Sequence, residues 1–460
     1  LILSKSILLF FGFALGFSLK FTGVMYGVHL MQGLGIDGIS LSDCYSSRQG
    51  TALISGTQAL VRLLLEQARL DQERGLNTRG LVSGYPGSPL GGLDLELGRS
   101  KRFLDEHGIV FQPGVNEELA ATALWGSQHI GLYDDPSIDG VFALWYGKGP
   151  GLDRSMDALR HANQGGVAPK GGMVIAVGDD PTGKSSTLAY QSDHNFVALG
   201  IPYFFPRRVS DIIPMGLEAF ALSRHAGCCV GLKIVVDTAD ASTVLDLGSI
   251  RPMLAPPEHQ PGPVHVGKHD PAGLREQRLH ELRLPAVRAW QGNNPANAVT
   301  LPSGPDLADP GSVKPRLAIM AVGKAAVETR EALSLLGMDQ PADHGIVMIE
   351  VGMPWPLAAG VIAPALDGVE EILVVEEKRP LVEDQVARLL VDRALPIRLS
   401  GKRDHDGQTL LPAHGEISVE GIARAVAHRA EATGITVTTP PALADLGNLP
   451  QVAMRTPYYC

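Results

Sequence analysis

The chain has 460 residues, 45% of them hydrophobic and 19% charged, enough for several buried cores and about three domains. A net charge of −10 argues against the basic face that nucleic acids require, so no nucleic-acid partner is expected. The four cysteines, Cys44, Cys228, Cys229 and Cys460, contain no CxxC pair. They argue against a disulfide framework and a complete zinc or iron–sulfur ligand set, and favour a reducing, cytoplasmic setting.

Residues 1–41 are an apolar head. The run SILLFFGFALGFSL (6–19) is followed by Lys20, and apolar character then continues to Met31. A signal peptide or membrane anchor is one reading. The chain begins with Leu1 rather than methionine, so the favoured expectation is an upstream extension of a start at Met25 or Met31.

Residues 42–245 alternate helical and strand patterns. An amphipathic helix is expected over 56–75, ending at Gly75, and strands over 80–85, 140–146, 171–180 and 230–239, with a helix over 206–227. Such alternation implies a mainly parallel, doubly wound sheet, whose ligands gather at the carboxyl ends of its strands. Ser88, Lys148, Asp179 and Asp180 all fall there. Residues 246–312 read as a proline-rich linker with a short helix near 274–284. A second α/β unit spans 313–445, with strand patterns near 316–323, 344–357, 370–381 and 395–401. The tail, 446–460, turns polar and ends in RTPYYC.

Four blocks carry candidate chemistry. In GVNEELAATALWGSQ (114–128), Asn116 suits a helix cap. Glu117 then shares the face of Ala120, Ala121 and Leu124, where a carboxylate is costly without a partner. The plain alternative is a helix-start glutamate stabilised by the macrodipole. Its neighbour Glu118 faces Ala121, Thr122 and Trp125. SGYPGSPLGG (83–92) is a turn by its prolines and glycines. GKGPG (147–151) places Lys148 in what reads as a loop open to close approach by a ligand, or as an exposed lysine in a flexible loop.

GDDPTGKS (178–185) satisfies G-x-x-x-x-G-K-[ST] and follows a strand-like run, so a P-loop nucleotide hydrolase is an alternative. Asp179 and Asp180 beside phosphates, and Pro181 in place of an N–H donor, argue against it. A non-catalytic, membrane-tethered binding protein is a second alternative. Glu376 and Glu377 look catalytic but sit at a strand end, where a structural or interface role is expected.

Taken together, Glu117 with Gly126 nine residues on, the SGYPGSPLGG turn, WYGKGPGLDRSMDAL (145–159) and VGDDPTGKSS (177–186) resemble the thiamine-diphosphate-dependent 2-oxoacid:ferredoxin oxidoreductases, indolepyruvate branch. EVGMPWPL, ILVVEEKRPLVEDQV and LLPAHGEIS extend the resemblance through the second unit. It implies a pyrimidine-binding-type doubly wound parallel sheet over 42–245, followed by a transketolase-C-terminal-like α/β domain over 313–445. The implied reaction is oxidative decarboxylation of an aryl 2-oxo acid, such as indolepyruvate, to an acyl-CoA, with ferredoxin as electron acceptor. Glu117 would hydrogen-bond N1′ of the aminopyrimidine and activate the cofactor. Gly87 and Ser88 would line the cofactor, with Ser88 and Lys148 on the substrate side. Asp179, Asp180, Pro181, Ser185, Ser186 and Asp193 match an Asp-Asp-Pro and Ser-Ser pattern of the family. The tail resembles the start of a diphosphate-binding domain. Mg²⁺ and 4Fe–4S clusters would belong to that missing part or to a partner subunit, in an expected homo-oligomer. The chain is therefore expected to be a fragment of a longer fused enzyme, inactive alone.

Overall fold

Short apolar runs, each ending in glycine or a charged residue, become the strands of two mainly parallel sheets in the computed structural model. It describes residues 42–438 apart from 185, 187, 251–256, 258–261, 294–298 and 301–312. Two units, Leu1–Ser47 and Arg48–Cys460, are separable. In the first, the described residues form one short helix, Asp43–Ser46. The apolar run 6–31, Ser185 and the tail with Cys460 lie outside the described residues. Among the described residues, no helix is long and apolar enough to cross a membrane.

In chain order, the second unit begins with β1 (Thr51–Ser55), α1 (Gly56–Glu73), β2 (Thr78–Gly84), α2 (Leu93–Arg99), β3 (Ile109–Phe111), α3 (Glu117–Ser127), β4 (Gly140–Lys148) and α4 (Gly149–Gly165). There follow β5 (Met173–Asp179), β6 (Tyr203–Phe204), α5 (Val209–Ala226), β7 (Val230–Val235) and β8 (Ser242–Asp246). Helix α1 opens on a capping box in which the Ser55 hydroxyl accepts from Gln58 N and Ser55 N donates to the Gln58 side chain. Six strands form a parallel sheet in the order β3-β2-β4-β5-β7-β6, while β1 and β8 pair antiparallel as a separate ribbon.

Alternation along β4 divides the sheet's two faces. Phe142 meets Phe220 of α5 edge to face, and α5 packs on α1. Ala143 and Trp145 point the other way, into a cluster with Ala120, Ala121 and Leu124 of α3 and Leu152 and Leu159 of α4. From β3 the chain passes α3 and crosses β2 to reach β4. The outgoing connections of β2 and β4 therefore diverge, which opens a crevice at their carboxyl ends.

Within the region read as a linker, residues 272–293 are helical: Ala272–Arg278, a π-helical turn Leu279–Arg283, and Leu284–Asn293. Arg283 from that turn is buried and donates to the carbonyls of Asn163, Gln164 and Gly165. It thereby satisfies the exposed C-terminal carbonyls of α4.

The second sheet has the order β13-β12-β10-β11-β9. It is built from β9 (Val299–Thr300), β10 (Leu317–Val322), α6 (Ala325–Leu335), β11 (Ile346–Val351), β12 (Glu371–Val375), α7 (Val382–Asp392), β13 (Arg398–Ser400) and α8 (Val419–Ala432). Only β9, at the edge, runs antiparallel. One face, with Leu317, Ile319 and Ala321, packs against α6 and α8. The other face, with Ala318, Met320 and Val322, belongs to the same apolar cluster as Trp145, Ile175 and Tyr203 of the first sheet. Polar ties cross the same junction: Tyr203 N donates to Trp355 O (3.0 Å), Phe205 N donates to Gly352 O (2.7 Å), and Arg207 pairs with Glu350.

Candidate functional site

The crevice at the carboxyl ends of β2, β4 and β5 gathers all the blocks singled out in the sequence. Gln112 N donates to Val82 O and Gly114 N to Gly84 O, so the approach to α3 runs beside the end of β2. Asn116 caps α3, its side chain accepting from Leu119 N at 2.8 Å. Glu117 is buried with Ala120, Ala121 and Leu124, whereas Glu118 is exposed. The Glu117 carbonyl accepts from Trp145 Nε1 (3.0 Å), which fixes the first turn of α3 over β4. Among the described residues its carboxylate makes no hydrogen bond.

Three glycines show how tightly the crevice is drawn. A Cβ on Gly151 would lie 2.8 Å from Glu117 Cγ and 2.9 Å from its Oε1. A Cβ on Gly87 would lie 2.9 Å from the Lys148 stem, and one on Gly149 would lie 1.9 Å from the Tyr190 ring. The sequence reading of GKGPG as a loop is thereby corrected: it is a strand end running into a helix. Lys148 ends β4 and stands at the N-cap position of α4, Pro150 sits in the first turn where its missing N–H costs nothing, and the glycines receive the protein's own side chains. Lys148 is half-buried.

Beyond β2 the turn runs through Gly87 and Ser88 to a cis Ser88–Pro89 bond and a 3₁₀ turn, Leu90–Gly92, that leads into α2. Ser88 is half-buried. Asp94, in the first turn of α2, accepts from the hydroxyl of Tyr146 near the end of β4. Burial and that carboxylate push the Tyr146 phenol up.

Asp179 ends β5 and is fully buried. Its Oδ2 accepts from Ser192 N and Ser192 Oγ, both at 2.8 Å, while Oδ1 has no hydrogen-bond partner among the described residues. Lys233 of β7 reaches Asp193 at 2.6 Å and Asp179 at 3.6 Å, and Tyr203 donates to Asp193. Burial pushes the Asp179 carboxyl up; burial opposes the charge at Asp193 as well, but Lys233 and the Tyr203 hydroxyl together more than offset it and hold that carboxyl low. Burial opposes the charge on Lys233, but Asp193 and Asp179 more than offset it and raise its pKa.

The P-loop alternative does not survive this geometry. Lys184 is ion-paired with Glu416 of the second α/β unit at 2.9 Å, and the next helix begins only at Asp193. A phosphate cradle needs a helix N-terminus immediately after the lysine. Glu376 caps α7, its carboxylate accepting from the N–H groups of Leu381, Val382 and Glu383. Burial raises its pKa to about 7. Glu377 lies 3.7 Å from Lys324 at the junction, and both its oxygens lack hydrogen-bond partners among the described residues. Among the described residues, no cluster of histidine, cysteine and carboxylates could hold a metal.

Comparison with known proteins adds independent findings. An indolepyruvate oxidoreductase domain matches residues 309–445. An indolepyruvate oxidoreductase subunit IorA from Pyrococcus abyssi is 27% identical over 361 residues, 76% of this chain and 49% of that one. Its Pyrococcus horikoshii counterpart is 25% identical over 383 residues, 82% of this chain and 52% of that one. The chain is similar to the indolepyruvate oxidoreductases. It spans about half the length of these curated IorA relatives. A 2-oxoglutarate:ferredoxin oxidoreductase from Magnetococcus marinus shares the fold, with a TM-score of 0.55 at 12% identity, over 83% of this chain and 66% of that one.

Sequence reasoning pointed to Glu117, Gly87, Ser88 and Lys148, and the fold brings all four to the carboxyl ends of β2 and β4. It missed Tyr190, whose only sequence signal is its place between two polar runs, and Lys233, which reads as an interruption of a strand.

Proposed function

We propose that this chain supplies the aminopyrimidine-activating half of a thiamine diphosphate site. The enzyme it serves would oxidatively decarboxylate an aryl 2-oxo acid such as indolepyruvate to an acyl-CoA, passing electrons to ferredoxin. The placement of Glu117 carries this reading: a largely buried carboxylate without a hydrogen-bond partner among the described residues, facing a crevice at a topological switch point. Such a group is costly unless a donor meets it, and a protonated ring nitrogen is a suitable donor.

Thiamine diphosphate, when bound, supplies the electron sink for loss of carbon dioxide. Glu117 holds the proton shared with the aminopyrimidine nitrogen. Gly87 lets the turn after β2 come close, and Ser88 offers a hydroxyl on the substrate side. Lys148, at the rim, meets the 2-oxo acid carboxylate.

Mg²⁺ and 4Fe–4S clusters are assigned to the half of the enzyme that this chain does not span, either a further domain or a partner subunit, within a homo-oligomer. Tyr85, just after β2, and Val115 and Leu119, which flank Glu117 in sequence, are 41%, 83% and 53% exposed. Exposed apolar residues so near the carboxylate in sequence suit a covering surface of that kind.

The test is anaerobic reduction of a viologen dye by the full-length natural enzyme, dependent on indolepyruvate and CoA, with and without Glu117→Ala. Loss of about 10²-fold or more in kcat is expected. Undiminished turnover by the variant would remove Glu117 from the chemistry, and an inactive wild type with cofactors loaded would remove the reaction.

A further inference from the structure

Tyr190 lies outside every motif above, yet it touches the site at two points. Its ring lies against Gly149, so close that even a methyl group there would overlap it. Its hydroxyl joins Asn195 at 2.7 Å, and Asn195 donates to Asp153, also on α4, at 2.8 Å. Burial, then the neighbouring Asp153 carboxylate, pushes the phenol up and keeps it neutral. The first turn of α4 thus cannot shift without moving Tyr190. That turn carries Gly151, on which Glu117 rests, and directly follows Lys148.

The residues around Tyr190 are fastened on opposite sides. Tyr190 N donates to Asp180 O at 3.1 Å. Next in sequence, Gln191 exchanges three hydrogen bonds with Arg379: Gln191 Nε2 donates to Arg379 O (3.1 Å), and Arg379 N and Nε donate to Gln191 Oε1 (3.3 and 3.2 Å). Ser192 is held by the buried Asp179, itself beside Lys233. Arg379 follows β12 of the second sheet, in a turn where Lys378 adopts a left-handed backbone at φ 62°. A non-glycine residue pays of order 1 kcal/mol or more for that conformation, so the turn is held by its surroundings.

We propose that Tyr190 is a positioning residue for the site and that the second α/β unit sets its position through the Gln191–Arg379 contact. The juxtaposition that carries this is the Tyr190 ring on Gly149, one residue from a glutamine bound to the other sheet. The proposal rests on the function proposed above where it concerns substrate, and on geometry alone where it concerns α4. Tyr190 would hold Lys148 and the seat of Glu117 in register, and movement of the Arg379 turn would release them.

Two measurements on the full-length natural enzyme test this. The first is the KM and kcat of Tyr190→Ala, Tyr190→Phe and Gln191→Ala for the 2-oxo acid. Tyr190→Ala is expected to raise KM about tenfold, because small misplacements of a binding group are costly. Tyr190→Phe keeps the ring on Gly149 and should restore KM to within about twofold. Gln191→Ala should shift KM in the same direction as Tyr190→Ala. Unchanged KM in Tyr190→Ala, with kcat falling only as the folded fraction falls, would reduce Tyr190 to a structural residue.

The second measurement is hydrogen exchange at the amides of Gly149, Gly151 and Leu152, which needs no turnover. Faster exchange there in Tyr190→Ala and Gln191→Ala supports the tether. Wild-type exchange in Gln191→Ala would overturn the coupling to the second unit. An inactive wild type would remove the proposed reaction, while exchange would still decide the positioning claim.

Discussion

Replacing Gly151 with alanine puts a methyl group 2.8 Å from Glu117 Cγ and 2.9 Å from its Oε1, where ordinary contact begins at 3.4 Å. The carboxyl end of Glu117 must therefore move by about half an ångström to one ångström. For the fold this is cheap, because the displaced atoms are the far end of a flexible side chain. Alanine also gains up to about 1 kcal/mol over glycine within a helix. For a proton-sharing carboxylate it is expensive: a misplacement of about 1 Å costs about 10²-fold, or roughly 2.7 kcal/mol of transition-state stabilisation. Gly151→Ala should thus melt at or slightly above the wild-type temperature while kcat falls about 10²-fold. Gly98→Ala in α2, where the added methyl meets nothing within 4 Å, is the control and should keep full activity. Viologen reduction and a thermal melt on the same preparations decide the matter. A fully active Gly151→Ala enzyme would mean that Glu117 does not work from this seat.

Lys233→Met should cost roughly 3–5 kcal/mol in urea unfolding, because it leaves Asp193 and Asp179 buried without their cation; a loss below 1 kcal/mol would show that water replaces the ammonium. Lys148→Ala should raise KM for the 2-oxo acid well above tenfold and leave KM for CoA near wild type; equal effects on both would remove the carboxylate contact. The folded-state pKa of Glu376, about 7, lies above the ordinary glutamate value of 4.5, so its contribution to stability is present below about pH 4.5 and lost as pH rises through 7. Glu376→Gln does not titrate, so the variant should gain on wild type by up to about 3 kcal/mol between pH 5 and 8. A constant difference across that range would mean that the three backbone donors at α7 keep Glu376 ionised throughout.

Local pattern made part of this site legible. Asn116 and the spacing from Glu117 to Leu124 lie within one helix, so a cap and a buried face could be read directly, and Glu118 separated from Glu117 by one step of helical rotation. The strand ends could also be read, because apolar runs stop where the sheet meets the crevice. GKGPG misled because glycine and proline mark loops and helix starts alike. What decides between them is Tyr190 and Glu117, both over 30 residues away along the chain. Lys184 satisfied a phosphate-loop pattern, yet its partner, Glu416, is supplied by the other sheet. Within the proline-rich stretch a short helix could be read near 274–284, but not its full extent over 272–293 nor its purpose, placing Arg283 on the carbonyls of α4, which depends on a contact about 120 residues away.

The apolar cluster that runs from Trp145 through Tyr203 to Met320 and Val374 belongs to neither sheet alone. Splitting the polypeptide between the two sheets would strip each half of part of its interior. Neither half has a complete core of its own, so heat or denaturant should melt both in a single cooperative transition rather than one after the other.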